Sequence, residues 1–164
     1  ELSAVSAVSK KMPYQPSFRH LTMVLQIHQL DVEKSISFFE GELKNPFDKL
    51  RLAQRAECAK AWLEKYAPEE FKFSVNTKVP KDISLSDGEK KSLAEVGKKL
   101  AEKEWTDTDL HNEFYAICSN NGIESKQFFA AAYKVLVSKE KGPRLASFIL
   151  EIGREKVAEL FGKL

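Results

Sequence analysis

The chain has 164 residues, of which 43% are hydrophobic and 30% are charged, an ordinary composition for a globular protein of one domain or two small ones. Its formal net charge of +2 excludes nucleic-acid binding through overall charge, so a nucleic acid could be bound only by a local basic patch. No apolar run approaches the roughly 18 residues of a membrane span, and we expect no membrane partner.

The first part of the chain is predicted to be a linker followed by a helical connecting subdomain. Residues 1–16 are small, polar and interrupted by Pro13 and Pro16, as in a linker. Over residues 17–80, apolar side chains recur at three- and four-residue spacing, which is the pattern of amphipathic helices. The helical patterns start after three residues: Ser17, Asp31 and Asn45.

A second helical subdomain is predicted over residues 81–164. The stretch before it alternates apolar and polar side chains, as in a short extended connector, and we expect the division between residues 71 and 82. The helices expected in the second subdomain are about 86–104, 106–118, 126–138, 143–151 and 154–161. The predicted fold is therefore all-α, a cage or bundle of about seven or eight helices in two subdomains.

The most distinctive stretch is a basic turn between two of these helices, within residues 133–148. Gly142 permits a close backbone approach, and Pro143 is suited to the first position of the next helix. Amides of that helix N-terminus would converge with nearby cations on anionic oxygens or a base edge. A solvated interhelical turn that happens to be basic is the alternative interpretation. The cations concerned are Lys139, Lys141 and Arg144.

Signatures of catalysis, nucleotide binding and metal binding do not occur in the sequence. It contains no Walker loop, GxGxxG, HExxH, paired CxxC or GxSxG, and no third ligand stands at metal spacing from its histidines. The acidic residues from Asp107 to Asp109 are expected to cap a helix. Cys58 and Cys118 fall within helical patterns, which favours a reducing cytosol over a disulfide framework. We therefore expect no catalytic residue, no metal and a cytoplasmic location.

Three segments of the chain carry the motifs of one known family, in the same order and at plausible spacing. They are residues 16–27, 59–73 and 110–149. The third segment is the most specific, with an FF…YxVL run followed by KxxGPRL and an F-I pair. In this chain those residues are Phe128, Phe129, Tyr133, Val135, Leu136, Lys139, Gly142, Pro143, Arg144, Leu145, Phe148 and Ile149. The three segments resemble the C-terminal part of class I lysyl-tRNA synthetases, and the resemblance covers most of residues 13–164.

The resemblance implies the helix-rich anticodon-binding region of such an enzyme, an α-helix cage like that of glutamyl-tRNA synthetases. Its partner would be the anticodon loop of tRNA-Lys, and no DNA partner is expected. The HIGH-type and KMSKS-type signatures of the catalytic domain do not occur in this chain. ATP and lysine would therefore bind in a catalytic domain that we expect to be absent here, and no cofactor is expected on these residues.

The resemblance and the charge pattern together place the anticodon contacts in the basic turn. We expect Arg144 to contact a base edge or a phosphate, and Lys139 and Lys141 to contact phosphate. Tyr133 or Phe148 is the candidate for stacking on a base. The alternative is a helical protein-interaction module without RNA binding, which predicts an exposed apolar patch on the order of several hundred Å².

Overall fold

The computed structural model describes residues 12–164, over which the chain forms eight α-helices, one short 3₁₀ turn and no strand. This confirms the prediction of an all-α fold. Most of the predicted linker, residues 1–11, lies outside the described residues. The chain divides into two compact units between Lys72 and Phe73, within the stretch where we expect the division. The finer subdomain boundary after residue 80 stays a prediction.

The first unit contains three helices whose starts follow local capping rules. The Ser17 side chain accepts the backbone N–H of His20, and Asp31 and Asn45 accept the N–H groups of Lys34 and Asp48 in the same way. These bonds satisfy amides that the first turn of a helix leaves without partners. The helices are α1 (Phe18–Ile27), α2 (Val32–Ser37) and α3 (Pro46–Lys65), with the 3₁₀ turn at Glu40–Glu42.

A buried carboxylate ties the start of this unit to α3. Asp48 accepts the backbone N–H of Tyr14 at 3.1 Å, the backbone N–H of Lys44 at 3.0 Å and the side-chain amide of Asn45 at 3.0 Å. The Lys44 N–H is the main reason that the pKa of Asp48 is lowered, since each donor favours the charged form. Asp48 therefore joins the segment at Tyr14 to the start of α3, and the hydrogen bonds that it accepts compensate for the burial of its carboxylate.

The second unit contains the remaining five helices, in the order that the sequence predicts. Ser86 and Thr106 cap the first two, and Gly122 ends the second of them in the left-handed conformation. The start predicted at Pro143 is wrong, because Arg144 is the N-cap and the helix begins at Leu145. The helices are α4 (Asp87–Glu102), α5 (Asp107–Asn121), α6 (Ser125–Val137), α7 (Leu145–Ile152) and α8 (Arg154–Phe161).

The core of the second unit is built on close contact between α4 and α8, which are far apart in the sequence. A Cβ atom on Gly97 would lie 3.1 Å from Cβ of Phe161 and 3.2 Å from the Ala158 carbonyl oxygen. The missing side chain therefore lets the two helix backbones approach. The largest fully buried side chains of this unit are phenylalanines: Phe114, Phe128, Phe148 and Phe161.

Candidate nucleic-acid interface

The basic turn, residues 138–144, joins the end of α6 to the start of α7. It begins at Ser138, which adopts a left-handed backbone conformation with φ of 56° and donates its N–H to the Lys134 carbonyl at 3.1 Å. A left-handed residue at this place turns the chain sharply out of the helix. The turn is thus a defined change of direction that follows directly from the end of α6.

Asn76 holds the end of α6 from the extended segment that opens the second unit. Its backbone N–H donates to the Leu136 carbonyl at 2.7 Å, and its side-chain amide donates to the Val135 carbonyl at 2.9 Å and to Ser138 Oγ at 3.0 Å. The last carbonyls of a helix have no partner within the helix, and Asn76 supplies donors for two of them. The start of the basic turn is therefore held from outside α6.

Tyr133 contacts the other end of the turn, at Gly142 and Pro143. Its side chain is 7% exposed, and its hydroxyl donates a hydrogen bond to the Pro143 carbonyl. A Cβ atom on Gly142 would lie 2.6 Å from Cε1 of Tyr133, a distance that no side chain could tolerate without a shift. Burial raises the pKa of Tyr133 to about 12, so the phenol is neutral and remains a donor at physiological pH.

Arg144 is anchored to α5 rather than free in solvent. One guanidinium nitrogen, Nη2, lies 2.7 Å from Oδ1 of Asp107, and the Ser147 hydroxyl donates to Oδ2 of the same carboxylate. The Arg144 side chain is nevertheless 55% exposed, so the ion pair does not bury it. Burial, and secondarily the charge of Asp107, raises the pKa of the nearby Glu151 carboxyl to about 7.

The structure brings the three predicted cations together on one turn but buries both predicted stacking rings. Lys141 is exposed and Lys139 is half-buried. Phe148 is fully buried and packs edge to face on Phe73, with 5.3 Å between ring centroids. Tyr133 and Phe148 therefore act as core in this structure, and base stacking by either ring stays a prediction that would require its exposure.

The sequence interpretation missed an accessible aromatic side chain on α5. Tyr115 is 47% exposed, more than any other large apolar side chain described in the second unit. Its ring lies 5.2 Å from that of His111 and 5.9 Å from that of Phe129. Asp107, His111 and Tyr115 stand four residues apart, so they occupy successive turns of one side of α5. The four-residue spacing could have indicated this from the sequence, because it places Tyr115 on the same side of α5 as Asp107, the partner of Arg144.

The described residues contain no group of three or more His, Cys, Asp or Glu side chains placed to hold a metal ion. Over residues 12–164, none of the helices combines the length and apolar character needed to cross a membrane.

Comparison with known proteins identifies the class of domain. The family model described as "Anticodon binding domain" matches residues 51–159, which include the basic turn and all of α4 to α7. The lysine–tRNA ligase of Borreliella burgdorferi is 36% identical over 165 residues, covering 99% of this chain and 31% of that protein. The lysine–tRNA ligases of Methanosphaera stadtmanae and Treponema pallidum are 30% and 32% identical, covering 98% and 96% of this chain.

The chain spans about a third of the length of these relatives, 33% and 30% in the last two cases. Similarity over nearly the whole chain confirms the resemblance to the anticodon-binding part of lysyl-tRNA synthetases that the sequence indicates. The chain therefore belongs to the anticodon-binding domain family.

Proposed function

We propose that this chain binds the anticodon loop of tRNA-Lys as the anticodon-binding region of a lysine–tRNA ligase. The observation that carries the proposal is the match to an anticodon-binding domain, combined with similarity to lysine–tRNA ligases along nearly all of the chain. The basic turn supplies a surface on which such a function is physically reasonable.

Anticodon bases are unpaired, so their hydrogen-bonding edges are open to a protein. The exposed guanidinium of Arg144 can donate to a base edge or to a phosphate, and we expect Lys139 and Lys141 on the same turn to contact phosphates. Asn76 and Tyr133 hold the turn at its two ends. A turn that is already ordered loses little conformational entropy when RNA binds.

For the longer protein we propose ATP-dependent attachment of lysine to tRNA-Lys. The relatives named lysine–tRNA ligase are about three times as long as this chain, which covers 31% of the first. The sites for ATP and lysine would lie in the part of the enzyme that this chain does not represent. None of the residues 12–164 is assigned a catalytic or cofactor-binding role.

The test is binding of the 164-residue chain to an anticodon stem-loop of tRNA-Lys, beside a loop with a scrambled anticodon, at two salt concentrations. We expect tighter binding to the lysine anticodon, with a salt dependence of roughly −0.7 in log K per log salt for each phosphate neutralised on a single strand. Arg144→Ala should reduce that preference. Arg51→Ala is the matched control, because Arg51 is an exposed arginine on α3 outside the turn.

Equal, weak binding to both loops would contradict anticodon recognition. That result would favour the alternative, a helical protein-interaction module without RNA binding. One observation supports keeping the alternative: the first unit exposes several large apolar side chains, namely Phe18, Phe38, Phe47, Leu50 and Tyr66. Binding that distinguishes the two loops would count against this alternative as the function of the chain, since a protein-interaction module has no reason to distinguish anticodons.

A further inference from the structure

We propose that Asp107 is a positioning residue that orients the Arg144 guanidinium and thereby sets the anticodon preference of the basic turn. The inference rests on the proposed function and assigns a role to a residue that the sequence pattern places only as part of a helix cap. Its evidence is the ion pair and hydrogen bond that Asp107 makes with the first turn of α7.

Arg144 occupies an unfavourable position for a cation. It is the N-cap of α7, where side chains that accept hydrogen bonds are preferred and where the helix dipole presents its positive end. Asp107 brings the opposite charge to this place from the first turn of α5, 37 positions earlier in the chain. Its Oδ1 meets Arg144 while its Oδ2 accepts from Ser147, so each carboxylate oxygen has a partner on α7 or its cap.

The exposure of the pair indicates that its main effect is orientation rather than stability. The Arg144 and Asp107 side chains are 55% and 33% exposed, and ion pairs this accessible contribute little to the free energy of folding. A guanidinium is a planar fork with five N–H donors, and the carboxylate contact restricts its orientation through one nitrogen. The donors that do not contact Asp107 remain available for a contact with a base edge.

Two roles of Asp107 can be distinguished, because they predict different effects on RNA binding when its charge is removed. If Asp107 only repelled RNA phosphates or competed with RNA for Arg144, removing its charge would raise affinity for any loop. If it positions Arg144, removing the charge should lower discrimination between loops while leaving general affinity the same or higher. The informative quantity is thus the ratio of the two dissociation constants.

The experiment measures that ratio, for the lysine anticodon loop and the scrambled loop, in the 164-residue chain and in Asp107→Asn. We expect the substitution to reduce the ratio about tenfold, the order of discrimination that one bidentate contact provides. Asp109→Asn is the matched control, because Asp109 lies in the same first turn of α5 and its carboxylate accepts a hydrogen bond from the Thr106 hydroxyl at 2.7 Å. It removes the same charge and should leave the ratio unchanged. Circular dichroism melting curves identify any variant that fails to fold.

The double variant Asp107→Asn/Arg144→Ala completes the test. It should show the same ratio as Arg144→Ala alone, because a positioning residue has no effect once the residue it positions is gone. An unchanged ratio in a folded Asp107→Asn, or a further loss in the double variant, would overturn the inference alone. A parent chain that binds both loops equally would overturn the proposed function, and the inference with it.

Discussion

Gly142 and Tyr133 are in contact at a distance that leaves no room for any side chain at position 142. The Cβ of an alanine there would lie 2.6 Å from Cε1 and 2.7 Å from Cδ1 of the tyrosine ring. The ring in turn donates its hydroxyl hydrogen bond to the Pro143 carbonyl. The path of the basic turn is therefore set by the buried face of α6, and the cations on it occupy places that this contact determines.

Gly142→Ala should destabilise the chain, because the turn must move away from the Tyr133 ring and weaken the hydrogen bond to Pro143. We expect the free energy of unfolding to fall by about 1–3 kcal/mol, as for other overpacked sites. Urea denaturation followed by circular dichroism measures the change. Gly41→Ala is the control, because no atom lies within 4 Å of a Cβ at position 41. Equal stability of the two variants would show that the contact does not constrain the turn.

Asn76→Ala should also destabilise the second unit, through the end of α6. The substitution removes both side-chain donors, to the Val135 carbonyl and to Ser138 Oγ, but keeps the backbone bond to Leu136. The loss should be about 1–3 kcal/mol if the carbonyl is left without a partner in a dry site. Hydrogen exchange at the amide of Ser138 should accelerate, since that residue leads into the turn. Unchanged exchange would mean that Asn76 does not hold the turn.

Glu151 should make the stability of the chain fall as the pH rises from about 4.5 to about 7. Burial raises the pKa of its carboxyl to about 7 in the folded chain, so over this range the unfolded chain releases a proton that the folded chain keeps. The stabilisation is complete below the unfolded pKa and is lost as the pH passes the folded pKa. The charge of Asp107 raises the pKa of Glu151 further, and Arg144 forms an ion pair with Asp107.

Glu151→Gln should remove this decline, because glutamine is neutral at every pH. The variant should gain stability relative to the parent chain between pH 4.5 and pH 7, on the order of 1 kcal/mol or more. Urea denaturation at a series of pH values measures the difference. Glu102→Gln, at an exposed position on α4, is the matched control, and its free energy of unfolding should change with pH as that of the parent chain does. If the free energies of unfolding of both variants changed with pH as that of the parent chain does, burial of the Glu151 charge would be excluded.

Tyr115→Ala should weaken binding to the tRNA-Lys anticodon loop if the exposed ring of α5 stacks on a base. Stacking of a base on an aromatic side chain contributes about 1–3 kcal/mol, so the loss should be about tenfold in affinity. Tyr66→Ala is the control, because Tyr66 is also strongly exposed but belongs to the first unit. Fluorescence anisotropy of a labelled stem-loop measures both. Equal affinity of the two variants would exclude Tyr115 from the interface.

Burial of the aromatic residues shows where sequence reasoning reaches its limit. Both the FF…YxVL pattern and the later F-I pair contain rings, but spacing alone does not tell which ring faces another helix. Phe148 is covered by neighbouring parts of the second unit and Tyr133 by the turn itself, while Tyr115 remains accessible. Accessibility depends on which helix faces are covered, and therefore on the packing of the whole unit.

The sequence by itself determined most of the helix starts, because a helix start depends on residues within three or four positions of each other. Ser17, Asp31 and Asn45 precede α1, α2 and α3, as the sequence predicts. Tertiary structure alone decided the partners of the basic turn. Asp107 lies 37 positions from Arg144, and Asn76 lies 62 positions from Ser138. No local pattern encodes such pairs, since they form only after packing of the helices brings distant segments together.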